Sequence, residues 1–368
     1  MKIAAVILAA GLSSRMGDFK PLLRLGEASL LGHCRALFAA AGLAEMFVVV
    51  GHRAGETIAE AESLGMQWVE NPAYRDGMFS SIRCATATLP EDIDAFFVLP
   101  VDIPLIRADT LRAMLAAVPG DATVLYPVFA GRRGHPPLVP ASLIQRVLDH
   151  DGAGGLRGLL RQFRSADVAV WDEGIHLDAD TPEDLQRLRR RLARISVPTR
   201  PEVEALAEIL LSEQGLVHGR LVGRTAIALA DALNRRGYRL EMDLLYAGAL
   251  LHDVAKGQPR HEVRGAEMLS ALGLGEIAAI VAAHRDLEPS ISGRLTEREI
   301  VCLADKLISG RRRVRIDQVF AEKLARSVSG AEVCQEINAR KARALTLLAL
   351  VEKAAAGSIE TILSEAGL

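Results

Sequence analysis

A glycine-rich segment with two cations, residues 11–20, follows the apolar run Ile3–Leu8 at the start of the chain. The apolar run predicts a buried parallel strand. Glycine and alanine let backbone N–H groups approach an anion, and a helix that begins there would add the positive end of its dipole. Arg15 and Lys20 add fixed positive charge. The segment therefore predicts a phosphate-binding loop that suits a triphosphate.

Carboxylates occur at two later positions. Asp102 follows a predicted strand at residues 96–99, and Asp178 and Asp180 precede a helix capped by Thr181. A carboxylate at the carboxyl end of a strand, beside a phosphate loop, is well placed to hold Mg²⁺. Two acids on one metal would bridge triphosphate oxygens. A single Asp in a turn is more often a turn former, so this prediction depends on the loop before it.

The second half of the chain carries its own set of potential metal ligands. His252 and Asp253 are adjacent at a predicted helix end, where Gly257 suits the residue that follows a helix. A lone helical histidine is usually structural, but here all four histidines of this half lie on separate predicted helices or helix ends. Mixed histidine and carboxylate donors suit Mn²⁺ or Fe²⁺ better than Mg²⁺ alone. The candidate ligands are His218, His252, Asp253, His261, His284 and Asp305.

Short apolar runs alternate with amphipathic segments as far as about residue 193. This order predicts a doubly wound α/β domain whose ligand lies at the carboxyl ends of its strands. The predicted strands are 3–8, 46–50, 67–69, 96–99 and 123–128, and the predicted helices are 30–41, 55–64, 110–118, 141–148 and one from Thr181.

Two prolines in a polar stretch mark residues 195–201 as a linker. The predicted domains are therefore 1–194 and 202–368. Strand signals disappear after the linker, so the second domain is predicted to be all-α. Its predicted helices are 202–212, 217–236, 240–256, 261–272, 276–284, 297–309 and 332–355.

Composition excludes some classes of function. At 368 residues, two domains are expected. A net charge of −2 gives no reason to expect a nucleic-acid partner. The four cysteines form no zinc spacing and suit a reducing cytoplasm. We expect no signal peptide and no membrane-spanning segment.

Five segments of the first half, in order, resemble the MobA-like nucleotidyltransferases. The first reads LAAGLSSRMGDFK, and Ala9-Ala10-Gly11 within it is more similar to the molybdenum cofactor cytidylyltransferases than to the guanylyltransferases, which typically read LAGG there. The segment 99–105 resembles the family's metal motif, 131–137 resembles its GxxGHP loop, and 178–185 resembles its DxDTPEDL segment. The five segments are residues 8–20, 71–83, 99–105, 131–137 and 178–185.

The resemblance implies a Rossmann-like fold of the nucleotide-diphospho-sugar transferase type and transfer of CMP from CTP to molybdopterin. It implies that Mg²⁺ binds Asp102 and a second acid, with Asp178 preferred over Asp180. It assigns Arg15 and Lys20 to the leaving pyrophosphate. His135 is an acceptor contact or, equally, a loop histidine held by the backbone. The implied phosphate and nucleotide contacts are Ala10, Gly11, Ser13, Ser14, Gly17, Ser81 and Arg83.

The order of ligands in the second half resembles the HD superfamily of metal-dependent phosphohydrolases. The stretch 261–267 is similar to the HxxxGAE sequence of members with extra ligands. This resemblance implies a minimal metal site of His218, His252, Asp253 and Asp305. It implies a second metal on His261 and His284, and a phosphorylated nucleotide as substrate.

These observations predict a bifunctional cytoplasmic enzyme, a nucleotidyltransferase fused to a phosphohydrolase, with molybdoenzyme maturation proteins as possible partners. Two alternatives stay open. In the first, the transferase acts on another acceptor, a sugar phosphate or a phospho-alcohol. In the second, the HD half is a nucleotide-sensing or docking module without turnover.

Overall fold

A computed structural model describes residues 1–119, 122–288, 294–326 and 331–368. The chain divides into two compact units, Met1–Ile195 and Ser196–Leu368. Each unit has its own buried apolar core. Among the described residues, no helix is both long enough and apolar enough to cross a membrane.

The first unit is built on an eight-stranded, mostly parallel sheet. The unit has ten strands, eight of them in this sheet: β1 (Ile3–Leu8), β2 (Arg24–Leu25), β3 (Ala28–Ser29), β4 (Glu45–Val50), β5 (Gln67–Glu70), β6 (Ala95–Pro100), β7 (Val124–Phe129), β8 (Arg132–Arg133), β9 (Leu138–Pro140) and β10 (Ser165–Ala169). The order across the sheet is β10-β7-β9-β6-β1-β4-β5, with β8 paired to β7, while β2 and β3 form a separate hairpin. Every residue of β6 is buried, which is why its sequence is a continuous apolar run.

Helices cover the sheet of the first unit. They are α1 (Leu30–Ala40), α2 (Ala54–Ser63), α3 (Met78–Thr86), α4 (Ala108–Ala116), α5 (Ile144–Asp149), α6 (Gly155–Leu160) and α7 (Pro182–Leu192). The predicted α/β class is confirmed. Helix α7 begins as predicted, because the Thr181 side chain accepts from the Asp184 N–H and the Asp184 carboxylate accepts from the Thr181 N–H.

Sequence patterns missed the antiparallel part of this sheet. Strand β9 lies antiparallel between β6 and β7, and β8 pairs antiparallel with β7. These strands have three and two residues, and β8 is two arginines, so neither shows an apolar pattern. The exposed strand β10 and the helices α3 and α6 were also not predicted from periodicity.

The second unit is helical. Its helices are α8 (Arg200–Leu210), α9 (Glu213–Asn234), α10 (Met242–Leu251), α11 (His261–Ala271), α12 (Gly275–Ala283), α13 (Glu297–Lys306), α14 (Ile316–Arg326), α15 (Ala331–Ala355) and α16 (Ile359–Glu365). The expectation of an all-α unit needs one local correction. A two-stranded hairpin, β11 (Ile308–Ser309) with β12 (Arg312–Arg313), follows α13. Gly310 at φ +59° makes this tight turn possible.

Several predicted helix boundaries shift, and two of these shifts bear on the linker and on the candidate metal ligands. Helix α8 starts at Arg200, inside the predicted linker, because Thr199 caps it and Pro201 suits a first turn. Helix α10 ends at Leu251, five residues before the predicted end, so His252 and Asp253 lie in the turns that follow the helix.

The separate cores predict that the two units fold independently. We expect fragments 1–195 and 196–368 each to melt cooperatively, since the cut breaks neither apolar core. Circular dichroism melts and gel filtration of the purified fragments provide the measurement. A matched cut within α9, after Gly223, is expected to give aggregated fragments. Aggregation of fragment 1–195 alone would contradict independent folding.

Candidate active sites

The phosphate loop lies beside Asp102 because of strand register. Leu8 of β1 pairs with Pro100 of β6, so the segments that follow both strands leave the sheet at the same edge. The loop is closed by the Ser13 hydroxyl, which accepts from the Lys20 N–H at 3.1 Å. Gly17 adopts φ +75°, a left-handed conformation that glycine adopts without strain.

Lys20 joins carboxylates from two distant segments. Its Nζ lies 2.9 Å from Asp102 Oδ2 and 2.7 Å from Asp180 Oδ1, and Arg15 Nη1 lies 2.8 Å from Asp180 Oδ2. The Ala179 N–H donates to the Asp102 carbonyl at 2.8 Å and so holds the second segment in place. Burial lowers the pKa of Lys20, but its hydrogen bonds to Asp180 and Asp102 outweigh this and raise the pKa.

This arrangement fits Mg²⁺. Oxygens of Asp102 and Asp180 both lie within 2.9 Å of one nitrogen atom, so the two carboxylates converge. Mg²⁺ is usually held by one or two carboxylates together with substrate phosphates. Asp178, the preferred second acid from sequence, does not share the contact with Lys20 that Asp180 makes. Burial, with Asp180 and Asp102 nearby, raises the pKa of Asp178.

A cavity of about 360 Å³ opens at this loop. It is lined by residues 8–15, by Lys20, Asp102 and Ser81, and by the start of α3. Arg83 is not among its lining residues, and its guanidinium instead donates to the His150 carbonyl at 3.4 Å. The reason is helical geometry, since residues two apart on α3 point to different sides. The predicted phosphate contact of Arg83 is therefore not part of the cavity.

A larger cavity of about 840 Å³ adjoins the first, and the two share Leu8, Met78 and Pro100. His135 lines it, and burial lowers the pKa of this histidine. The His135 Nδ1 is buried without a hydrogen-bond partner in the described part of the chain. Four arginines also line this cavity: Arg132, Arg133, Arg157 and Arg161.

Sequence reasoning did not single out Arg157 and Arg161. Arg157 lies on α6 and Arg161 is the C-cap residue that follows it, four positions later, a spacing that puts both on one face of a helix. Burial raises the pKa of the Tyr126 hydroxyl, and Arg133, Arg157 and Arg161 oppose that rise, so these three guanidinium groups lie near it. The i, i+4 spacing was the only available signal, and it is common on solvated helices.

In the second unit, three histidines are oriented by backbone carbonyls. The Nδ1 atoms of His252 and His284 lie 2.7 Å and 2.6 Å from the carbonyls of Ala249 and Val281, three residues earlier. His218 Nδ1 lies 3.3 Å from the Gly310 carbonyl. Because a carbonyl only accepts, Nδ1 carries the proton in each ring, which leaves Nε2 available as a metal ligand.

These Nε2 atoms point at two carboxylates. His252 Nε2 lies 3.5 Å from Asp253 Oδ2 and 3.3 Å from Asp305 Oδ1. His218 Nε2 lies 3.9 Å and 3.5 Å from the same two oxygens. The close packing of α9 on α10 brings His218 here, since a Cβ at Gly219 would lie 2.5 Å from the Leu250 carbonyl.

The other oxygen of Asp253 serves a second cluster. Its Oδ1 lies 3.6 Å from His261 Nε2 and 3.9 Å from His284 Nε2, and these two nitrogens are 3.3 Å apart. Two groups of ligand atoms thus share Asp253, and each group is compact enough for one metal ion. The six predicted ligands all lie in this double cluster, and the donor set of imidazoles and carboxylates fits two divalent transition metals.

The electrostatics suit metal ligands. Burial, together with nearby His252, lowers the pKa of His284 to about 4, so this imidazole is neutral near pH 7. Burial opposes the charge of Asp305, but Lys306 and the hydrogen-bonding His218 and His252 outweigh it and hold the pKa well below the usual range.

Lys306 contacts one residue of each ligand cluster. Its buried Nζ donates to Asp305 Oδ2 and to the His284 carbonyl, each at 2.9 Å. Burial alone would lower the pKa of Lys306, but the Asp305 carboxylate raises it. One charged group therefore orients a ligand of each cluster.

Replacing Lys306 with methionine is expected to weaken Mn²⁺ binding about 10- to 100-fold, as loss of an outer partner of a metal ligand does. Asp305 loses its counter-charge and His284 its backbone anchor. Metal titration calorimetry on the full chain measures this. Lys306→Arg keeps the charge and should recover part of the affinity. Unchanged affinity in a folded Lys306→Met variant would contradict this role.

Comparisons with known proteins match both units of the chain. Residues 5–168 match the family model described as MobA-like NTP transferase domain, and residues 215–310 match the model described as HD domain. The chain is 27% identical over 194 residues to the molybdenum cofactor cytidylyltransferase of Escherichia coli, covering 52% of this chain and 98% of that protein.

Two further relatives were found. The bifunctional IPC transferase and DIPP synthase of Rubrobacter xylanophilus is 29% identical over 223 residues, covering 50% of each chain. A solved nucleotidyl transferase from Methanothermobacter aligns with a TM-score of 0.47 at 24% identity, covering 53% of this chain and 99% of that one. By the two family models that match it, the chain carries a MobA-like NTP transferase domain in its first unit and an HD domain in its second.

Proposed function

We propose that the first unit transfers CMP from CTP to molybdopterin or a close relative of it and releases pyrophosphate. The terminal phosphate of the acceptor would attack the α-phosphorus of CTP. A P–O bond forms there, and the bond from the α-phosphorus to the bridging oxygen breaks, so that pyrophosphate leaves with the electron pair. The attacking oxygen is already anionic, so no strong general base is needed.

Residues that line the first cavity or lie next to its phosphate loop would each have a separate role in this reaction. The loop that contains Ala10, Gly11, Ser13, Ser14 and Gly17 would bind the triphosphate of CTP. Asp102 and Asp180 would hold Mg²⁺, which neutralises phosphate charge when bound. Lys20 and Arg15 would stabilise the charge that develops on pyrophosphate, and Ser81 would contact the nucleotide. Positioning and charge neutralisation account for the rate.

The observation that supports this function best is the convergence of Lys20, Asp102 and Asp180 at the phosphate loop. Pyrophosphate release from CTP, GTP, ATP and UTP, each with purified molybdopterin, tests it. We expect CTP to give the highest kcat/KM, by at least about tenfold, which corresponds to about 1.4 kcal/mol of selective binding. Equal rates with all four nucleotides would refute the preference for CTP.

A second acceptor class calls for a parallel assay, because a relative at 29% identity is named as an IPC transferase and DIPP synthase. In this alternative a sugar phosphate or phospho-alcohol replaces molybdopterin. Ribitol 5-phosphate and glucose 1-phosphate, incubated with CTP, serve as probes. Faster pyrophosphate release with either probe than with molybdopterin would favour the alternative.

For the second unit we propose hydrolysis of a phosphate ester or anhydride in a phosphorylated nucleotide. The double cluster around Asp253 supports two divalent metals, Mn²⁺ or Fe²⁺, which when bound polarise the phosphoryl group and activate water. Lys256, which contacts Asp253, and Arg285 would bind substrate phosphates. We place both activities in the cytoplasm, with molybdoenzyme maturation proteins as possible partners.

The alternative for the second unit is a nucleotide sensor without turnover. Phosphate release from a nucleotide panel with Mn²⁺, Fe²⁺ or Mg²⁺ separates the two. The hydrolase proposal fails if the metal-loaded chain binds a nucleotide and releases no phosphate from any of them.

A further inference from the structure

The larger cavity of the first unit is strongly basic on one side. Arg132 and Arg133 reach it from β8, Arg157 from α6, and Arg161 from the C-cap position directly after α6. The cavity of about 840 Å³ is in the size range of small-molecule sites. Four cations from two segments, which are distant in sequence, therefore face one space.

Only one of these four charges is balanced by a residue that the structure describes. Arg133 pairs with Asp167 at 2.6 Å and lies over the Tyr126 ring, 4.4 Å from its centroid. Arg132, Arg157 and Arg161 form no ion pair within the described ranges. These three arginines are exposed to solvent, but they line one cavity together with His135, whose buried Nδ1 has no partner among the described residues. The net positive charge of the arginines that line this cavity calls for an anionic ligand.

The two cavities hold separate sets of cations. Arg15 and Lys20 line only the first cavity, and the four arginines line only the second. The attacking phosphate must come within about 3.5 Å of the α-phosphorus, which places it at the junction formed by Leu8, Met78 and Pro100 or inside the first cavity. The arginines are then left to bind another part of the acceptor.

We propose that the acceptor carries a second anionic group, separate from its attacking phosphate, and that Arg132, Arg157 and Arg161 bind this group. The proposal rests on the proposed transferase function and specifies its acceptor class. Molybdopterin-type acceptors, with anionic sulfur ligands away from the phosphate, belong to this class. A sugar phosphate or phospho-alcohol with one charged end does not.

The first experiment measures kinetics with CTP and molybdopterin in the double variant Arg157→Gln/Arg161→Gln. We expect the KM for the acceptor to rise at least tenfold and the KM for CTP to stay within twofold, because the two arginines lie outside the first cavity. Arg146→Gln, an exposed arginine on α5 that lines neither cavity, is the matched control and should change neither constant. An unchanged acceptor KM in the double variant would overturn the proposal.

The second experiment does not depend on transfer. Calorimetry compares 3-phosphoglycerate, which has a carboxylate at its far end, with glycerol 3-phosphate, which has none. We expect the first probe to bind wild-type protein at least tenfold more tightly and to lose this advantage in the double variant. Equal binding of both probes overturns the inference. The expected binding without any transfer from CTP would instead reject the proposed function and keep the anion site.

Discussion

Replacing Lys20 with alanine is expected to lower CMP transfer about 10²- to 10³-fold, the usual effect of removing one preorganised partner of a developing charge. Lys20 is the only described cation that contacts both Asp102 and Asp180, and its side chain is 11% exposed. Arg15 cannot replace it, because its side chain is 72% exposed and water screens its charge. Pyrophosphate release at saturating CTP measures the effect.

Two variants make the Lys20 result specific. Lys20→Arg keeps the charge but changes the geometry and should lose less activity than Lys20→Ala. Lys2→Ala removes a more exposed lysine that pairs with Asp92 and should leave transfer unchanged. A folded Lys20→Ala protein with transfer within threefold of wild type would refute the role of Lys20.

The second large effect is expected from Asp253→Asn in the HD domain. One carboxylate serves both ligand groups, with Oδ2 facing His218 and His252 and Oδ1 facing His261 and His284. Asparagine offers one oxygen and no charge, so both metal sites are weakened together. We expect bound metal to fall below about one tenth of the wild-type content and phosphate release to fall on the order of 10³-fold.

The His261→Ala variant distinguishes a ligand of one cluster from Asp253, which belongs to both clusters. It touches only the second cluster, so about half of the bound metal should remain after dialysis, as measured by elemental analysis. Asp231→Asn, an exposed acid on α9 that pairs with Arg235, is the control for loss of charge and should keep all of the metal. If Asp253→Asn binds as much metal as Asp231→Asn, Asp253 does not bridge two sites.

Much of the fold followed from local patterns. The apolar runs of β1, β4 and β6 predicted the parallel centre of the sheet, since strands buried on both faces must be apolar throughout. The capping box at Thr181 predicted where α7 begins. The antiparallel strands β8 and β9 left no such pattern, because they are short and their pairing partners lie elsewhere in the chain.

In the candidate sites, too, local sequence predicted some features, and contacts between distant segments decided others. Residue types and their spacing are enough to propose Lys20, Asp102 and six candidate ligands of the HD domain, because phosphate and metal chemistry demand few kinds of side chain. Sequence spacing did not show that Asp180 rather than Asp178 contacts Lys20, because neighbouring residues in a loop point in directions that only packing decides.

By itself, then, the amino-acid sequence determined the two kinds of domain, their order and the side chains that are candidates for chemistry. Only the tertiary structure decided which atoms meet. It joined the two groups of candidate metal ligands through the two oxygens of Asp253, and it brought Arg132 and Arg133 to the same cavity as Arg157 and Arg161. The reason is physical: side-chain type is local, whereas a bridging carboxylate or a cluster of cations depends on contacts between elements that are distant in the chain.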